Sequence, residues 1–277
     1  MKKYIIFLAS CILFSAVSLA QKKEKVKGDK EVISTSNEII GEFNHLEISD
    51  NLEVEIQTSN RNSYVLTTDQ NLAEEVEVRV SNGVLKVYTR SKIVKNKKLH
   101  IFLNLTGIES ITINDDAVLE TSSEFDTDKI TIYANNSSQF DIKLDVNSSA
   151  EIIMSDNSKG KLDLRAGNIV INMEKRSDLK ADLQTDDLNV VLNKSASAKL
   201  DGKATNVVFN LEGNSNLNAK KLNAQTAVLN SKNKSDIYVD ASKSIEIDAE
   251  GKSTIYVYGN PDIQVKGLTD KSKIIKK

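Results

Sequence analysis

The sequence has little of the chemistry that most enzymes and metalloproteins use. Its 277 residues include one cysteine, one proline, two histidines and no tryptophan. His45 and His100 lie far apart in the sequence, and neither has a metal-ligand or catalytic motif beside it. The sequence therefore offers almost no residues from which a catalytic triad could form. Cys11 falls in a predicted signal segment, and a mature chain without it forms neither a disulfide nor a thiolate site. We therefore predict no catalytic residue, no metal site and no cofactor.

The numbers of acidic and basic residues are nearly equal, and this balance limits which classes of partner the chain is expected to bind. Lysine and arginine total 37 and aspartate and glutamate total 39, for a formal net charge of −2. Nucleic-acid binding usually needs a basic face, and adhesion to anionic membranes needs a basic patch. We therefore expect neither nucleic acid nor a membrane among the partners of the mature chain.

The first segment, residues 1–20, has the layout of a secretory signal. Two lysines precede an apolar run from Tyr4 to Leu19, and the segment ends on the small residue Ala20. This layout predicts export to the periplasm or the outer cell surface, with cleavage after Ala20. An uncleaved membrane anchor is the alternative, disfavoured because the run is short. Lipidation at Cys11 is disfavoured because the apolar run continues beyond it.

Residues 130–258 repeat one pattern seven times. Each copy alternates apolar and polar residues, passes through a four-residue polar turn, and alternates again. The copies begin 18–20 residues apart, at Ile130, Ala150, Ile169, Leu188, Val207, Ala227 and Ile245. Two-residue alternation indicates strands, and a fixed period of this size indicates a solenoid. The fold class predicted is all-β, a single-stranded β-helix or β-solenoid with coils of about 19 residues.

Two positions within the polar turns also keep a similar residue type from copy to copy. The second turn position favours residues that tolerate a left-handed backbone, in five of seven copies. It is occupied by Asn136, Asp156, Lys175, Lys194, Gly213, Asn233 and Gly251. Serine recurs two positions later in every copy except the one with Ala196.

The rest of the chain is less regular, but it also alternates. Asn82-Gly83 between two alternating runs is a strong hairpin signal. We expect one continuous all-β unit whose irregular N-terminal part covers an end of the solenoid. The predicted layout is a flexible lysine-rich leader at 21–40, a solenoid at 41–265 with irregular strands at 41–110 and regular coils at 111–258, and a basic tail at 266–277.

Several local motifs resemble the GIN-domain family, the putative auto-transporter adhesin head domains common in Bacteroidetes. The matching features are Phe43-x-x-Leu46-x-Ile48, the Asn82-Gly83 turn before Leu85-x-Val87, the run Leu99 to Leu105 before Ile108-Glu109-Ser110-Ile111, the serine-ended turns, and Tyr256-Val257-Tyr258-Gly259-Asn260-Pro261. The family's usual Ser-Gly-Ala-Ser turn keeps its glycine here only at Gly213 and Gly251. The resemblance implies a right-handed β-helix of pectin-lyase-like shape and a secreted protein with a role in adhesion. It supplies no catalytic residues.

Asp163, Asp182 and Asp201 are predicted to stack on the outward side of the strands after the turns. Such a carboxylate row could serve a polysaccharide lyase or hydrolase, or hold a cation. The other interpretation is a solvated charge ladder, because a lysine column stands beside it. The predicted column continues through Lys220 to Asp240.

Tyr238, Tyr256 and Tyr258 are predicted to form an exposed aromatic patch. It could stack on sugars or anchor a protein, or it could shield the last coil. The leading hypothesis is an exported, non-enzymatic solenoid that binds a cell-surface or envelope glycan or protein. A β-helix polysaccharide enzyme and a periplasmic structural scaffold are the alternatives.

Overall fold

The computed structural model describes residues 23–277 of the chain. The predicted signal segment and its cleavage site lie outside this range. Among the described residues, no helix is long and apolar enough to cross a membrane. The strands are β1 (Lys25–Lys27), β2 (Val32–Glu38), β3 (His45–Ile48), β4 (Glu53–Thr58), β5 (Ser63–Asp69), β6 (Val76–Ser81), β7 (Val84–Thr89), β8 (Lys92–Lys95), β9 (Leu99–Leu105), β10 (Ser110–Ile113), β11 (Val118–Thr121), β12 (Phe125–Ala134), β13 (Gln139–Met154), β14 (Lys159–Arg165), β15 (Asn168–Met173), β16 (Asp178–Leu192), β17 (Ser197–Leu211), β18 (Asn216–Ser231), β19 (Asp236–Ala249), β20 (Thr254–Gly259), β21 (Asp262–Leu268) and β22 (Lys273–Lys276). A single 3-10 turn covers Gln70–Leu72.

The predicted solenoid is confirmed, with about nine turns and coils of about 19 residues. Each regular coil has two strand segments joined by the polar turn on one side and by a bend on the other. We call the sheet built from segments after the turn, such as 159–165 and 178–184, the A face. The sheet built from segments before the turn, such as 168–173 and 187–192, is the B face. Both sheets are parallel, because each segment pairs with its equivalent in the next coil.

The predicted core column faces inward along the whole shaft. Its members are at most 6% exposed: Ile142, Leu162, Ala181, Leu200, Ala219, Val239 and Val257. Burying each large side chain stabilises the fold by roughly 1.5–3 kcal/mol, and ordering the backbone offsets most of this. One coil alone therefore has too little buried surface, and stability comes from stacking neighbours.

The turns adopt the predicted left-handed conformation in all seven copies. The φ angles at the second turn position run from +52° at Asn136 to +83° at Gly213, and Lys175 and Lys194 adopt them too. The serines two positions later are buried. The hydroxyl of Ser215 donates to the carbonyl of Glu212 at 2.6 Å, and Ser253 donates to Glu250 at 3.0 Å. Ser177 and Ser235 donate in the same way, so four of the six serines satisfy a turn carbonyl from inside the coil. The buried hydroxyls of Ser138 and Ser158 have no such partner.

The irregular N-terminal strands lie at one end of the solenoid, where they add antiparallel pairs to its sheets. Asn82 and Gly83 form the two-residue loop between β6 and β7, both with positive φ. Strand β5 pairs antiparallel with β9, and β2 pairs antiparallel with β5. Stacking order departs from chain order here, because β3 lies between β7 and β10.

The prediction of a flexible leader at 21–40 is wrong for its described part. Strand β1 pairs with β8, and β2 pairs with β5 along its full length. The buried carboxylate of Asp69 accepts backbone hydrogen bonds from Lys30 at 3.1 Å, Lys97 at 3.1 Å and Lys98 at 3.2 Å. One buried carboxylate thus ties the leader to the loop before β9.

The predicted basic tail at 266–277 is also wrong, as is the end of the regular coils at 258. Strands β21 and β22 add a further coil, with Ile263 opposite Ile245 and Ile274 opposite Ile255. Pro261 lies between β20 and β21, where it is buried. A proline is tolerated at a bend because no ladder hydrogen bond needs its nitrogen.

Candidate binding surfaces

The A face carries the predicted ladders of opposite charge. Asp163 lies opposite Asp182, and Asp182 lies opposite Asp201, so the three carboxylates are stacked in register. Asp163 and Asp182 are exposed and Asp201 is partly exposed. Together with Lys161, Lys180 and Lys199 they line a shallow depression of about 230 Å³.

Ammonium groups stand close to two of these three carboxylates. Lys143 Nζ lies 3.9 Å from Asp163, and Lys199 Nζ lies 3.8 Å from Asp201. Lys161 donates to Asp141 at 2.9 Å, and this hydrogen bond raises the pKa of Lys161. Exposed pairs of this kind contribute little to stability. The geometry is that of a solvated charge ladder, and an acid–base or cation-binding role for the aspartates stays a hypothesis.

The predicted continuation of this column through Lys220 is wrong by one residue. Asp201 lies opposite Lys221, and Asp240 lies opposite Asn223. The repeat takes a 20-residue step here, and the extra residue is absorbed by irregular pairing in β18.

Tyr238 and Tyr256 form an aromatic stack on the A face. Their ring centroids are 4.3 Å apart and the rings are tilted by 9°. Lys277 Nζ lies 5.4 Å from the centroid of the Tyr256 ring, a cation–π contact. Burial raises the pKa of the Tyr238 phenol, and the neighbouring Tyr256 raises it further.

Tyr258 lies beside this stack, opposite Asp240 in the pairing of β19 with β20. All three tyrosines are partly exposed. They do not mark the end of the A face as predicted, because Ile275 of β22 lies opposite Tyr256. The tyrosine patch is therefore a feature within the face, with coils on both sides.

A large concavity among the described residues is a trench along the bend side of the solenoid, which the sequence reasoning missed. We call it the bend groove, and its volume is about 710 Å³. One wall is a column of outward side chains that face one another in successive coils. The members of this column are Asp145, Arg165, Gln184, Lys203, Asn223 and Asp240.

The bend groove exists because the inward residue at each bend is small. The positions are Val146, Ala166, Thr185, Ala204, Ala224 and Ala241, all at most 8% exposed. A small side chain lets the backbone approach the core, which leaves a recess outside. Thr185 fits the same place because its hydroxyl donates to the carbonyls of Gly167 and Asp187 at 3.0 and 3.1 Å. This column of small residues is the signal that could have indicated the groove.

Both histidines have polar partners, and three carboxylates cluster beside the groove. His45 Nε2 lies 2.8 Å from the Thr112 hydroxyl, and burial lowers the pKa of His45. His100 lies 3.2 Å from Glu55. Glu124, Asp126 and Asp145 come together near one end of the bend groove, where Arg165 donates to Asp145 at 2.9 Å.

These observations define a parallel β-solenoid repeat protein with one capped end, a charged outer face and a lateral groove. The chain belongs to the family described as putative auto-transporter adhesin, head GIN domain, whose model matches residues 42–163 and 144–261. The predicted resemblance is confirmed. No curated protein matches the chain.

Several solved structures share the fold at low sequence identity. A putative adhesin from Parabacteroides merdae is 19% identical with a TM-score of 0.67, over 92% of this chain and 99% of that one. A putative adhesin from Parabacteroides distasonis is 16% identical with a TM-score of 0.71, over 92% and 100%. A putative lipid binding protein from the same species is 16% identical with a TM-score of 0.65, over 92% and 100%.

Proposed function

We propose that this chain is an exported, non-enzymatic adhesion protein of the periplasm or outer cell surface. Its outer polar surface attaches to a glycan or a protein of the cell envelope or of a neighbouring surface. The family assignment supports a role in adhesion. The observation that carries the proposed contact is the Tyr238–Tyr256 stack with Lys277 above it, on the open A face.

The stack has the properties of an anchor for a ligand. Two parallel rings held 4.3 Å apart are already ordered, so a ligand that packs on them costs little side-chain entropy. Tyrosine also offers a hydroxyl at the rim of an apolar surface, which suits both sugars and protein interfaces. Tyr258 and the Asp163, Asp182 and Asp201 row would provide polar contacts around this anchor.

The test is retention of the purified chain from Gln21 to Lys277 on an array of bacterial and host glycans and matrix proteins. Retention on one ligand class should persist at high salt, because aromatic contacts are not screened. It should be lost in the Tyr238→Ala/Tyr256→Ala variant and kept in Tyr133→Ala, a partly exposed tyrosine on the B face. Equal retention of the wild type and both variants would show that the tyrosine stack does not contact the ligand.

A β-helix polysaccharide enzyme is the second candidate, favoured by the register of the three aspartates. In that case cleavage of a polysaccharide panel would depend on Asp182. Cleavage that survives Asp182→Asn would rule out this carboxylate row as the catalytic centre.

A further inference from the structure

We infer that the bend groove is a binding site for a linear, uncharged, hydroxyl-rich polymer, a neutral glycan chain that lies parallel to the solenoid axis. This inference rests on the proposed function and deepens it by naming a ligand class. The groove lies at the bend between the two faces, and Tyr238 and Tyr256 do not line it. Its last wall residue, Asp240, lies opposite Tyr258, so the two surfaces adjoin there.

The length and regularity of the groove fit a linear ligand. Its wall column passes through six coils in register, from Asp145 to Asp240. At a strand spacing of roughly 4.8 Å the wall is about 24 Å long. Each coil contributes one polar side chain to this wall, so a polymer of repeating units meets repeated polar contacts.

The charges of the wall fit an uncharged ligand. Asp145 is paired with Arg165 at 2.9 Å. The rest of the groove lining carries one lysine, Lys203, and two aspartates, Asp186 and Asp240, so charges of both signs are interspersed along it. Such a mixture attracts neither a polyanion nor a polycation. Gln184 and Asn223 lie between these charges and offer amide donors and acceptors, which hydroxyl groups can satisfy.

A glycan fits the groove better than an extended peptide does. Peptides often bind by adding a strand to an open sheet edge, with alternate side chains in pockets. Along the groove the flanking strands are already paired with the coils above and below, so no edge is open there. The floor is lined by small side chains such as Ala204 and Ala224, which form a continuous trench rather than separate apolar pockets.

The experiment uses the chain from Gln21 to Lys277 and three soluble probes. These are malto-, cello- and chito-oligosaccharides, each from disaccharide to octasaccharide, titrated by calorimetry. The test variant is Lys203→Ala/Asn223→Ala in the groove wall. Its matched control, Asn214→Ala/Lys234→Ala, removes the same two residue types from exposed positions on the turn side of neighbouring coils.

We expect affinity for at least one series to rise with length and to level off once the sugar spans the groove. The groove variant should weaken binding of the longest oligomer about tenfold, as expected for two lost hydrogen bonds. The control variant and a change from low to high salt should each alter affinity less than about twofold.

Three results would overturn the assignment. One is no binding to any of the three series, and another is binding with no dependence on length. The third is binding that the groove variant retains. The proposed function is tested separately, because the Tyr238→Ala/Tyr256→Ala variant should keep oligosaccharide binding in the groove and lose only the array retention that depends on the tyrosine stack.

Discussion

Substituting Gly160 by alanine is the most direct probe of how neighbouring coils pack. An added Cβ at Gly160 would lie 2.2 Å from Cζ and 2.6 Å from Cε2 of the Phe140 ring in the adjacent coil. Unstrained carbon atoms pack about 3.5–4.0 Å apart, so the ring would have to move by more than about 1 Å. Phe140 is buried, at 3% exposure, and has little free space to enter. We expect Gly160→Ala to lower the free energy of unfolding by about 1–3 kcal/mol.

The assay is denaturant unfolding followed by far-ultraviolet circular dichroism, in a double-mutant cycle with Phe140→Leu. Removing the ring should make Gly160→Ala nearly neutral, so the two substitutions should couple by about 1 kcal/mol or more. Gly107→Ala is the control, because a Cβ there meets nothing within 4 Å. If Gly160→Ala proved as harmless as Gly107→Ala, the ring would not fill the space above Gly160 and the register of these coils would be wrong.

Two further predictions test the N-terminal strands and the coil register. The hydrogen bonds that Asp69 accepts outweigh the effect of burial and hold the pKa of Asp69 below its ordinary value of 3.8. Its contribution to stability is therefore complete above that value and lost as the pH falls through the folded-state pKa. The protection of amides in residues 23–40, measured relative to the intrinsic exchange rate at each pH, should fall over that acidic range. In Asp69→Asn the same amides should be poorly protected at neutral pH; unchanged protection in the variant would contradict the anchoring role. Inserting one residue within β17 between Val207 and Leu211 should cost on the order of 3–5 kcal/mol, because core residues turn outward. The same insertion at the Asn214 turn should cost about 1 kcal/mol or less, and equal losses of thermal stability would refute the register.

The repeat made much of the shaft predictable from the sequence. Ile142 and Leu162 occupy equivalent places in successive copies, so their burial followed from alternation alone. The left-handed turns at Asn136 and Gly213 followed from residue types that tolerate positive φ. The stacking of Tyr238 on Tyr256 was foreseeable for the same reason, because both residues hold the same place in copies 18 residues apart.

Features that depend on contacts distant in sequence were not predictable. Strand β2 is mostly polar, so no local pattern shows that it pairs with β5 or that Lys30, just before it, donates to the buried Asp69. The step from Val207 to Ala227 is one residue longer than the usual 19, and the sequence does not show where the strand accommodates that residue. The structure shows that Lys221, and not Lys220, lies opposite Asp201. The groove depends on small residues such as Ala204, whose effect is visible only once the coils are stacked.

The central claim, that an exported solenoid adheres through its outer surface, is most directly tested with beads. Beads coated at equal density with the wild-type chain or with Tyr238→Ala/Tyr256→Ala would be applied to host cells and to neighbouring bacteria, at low and high salt. The account predicts salt-resistant attachment of the wild-type beads to at least one surface and its loss in the variant. Wild-type beads that attach no better than uncoated beads to every surface would contradict the claim and favour a structural role within the envelope.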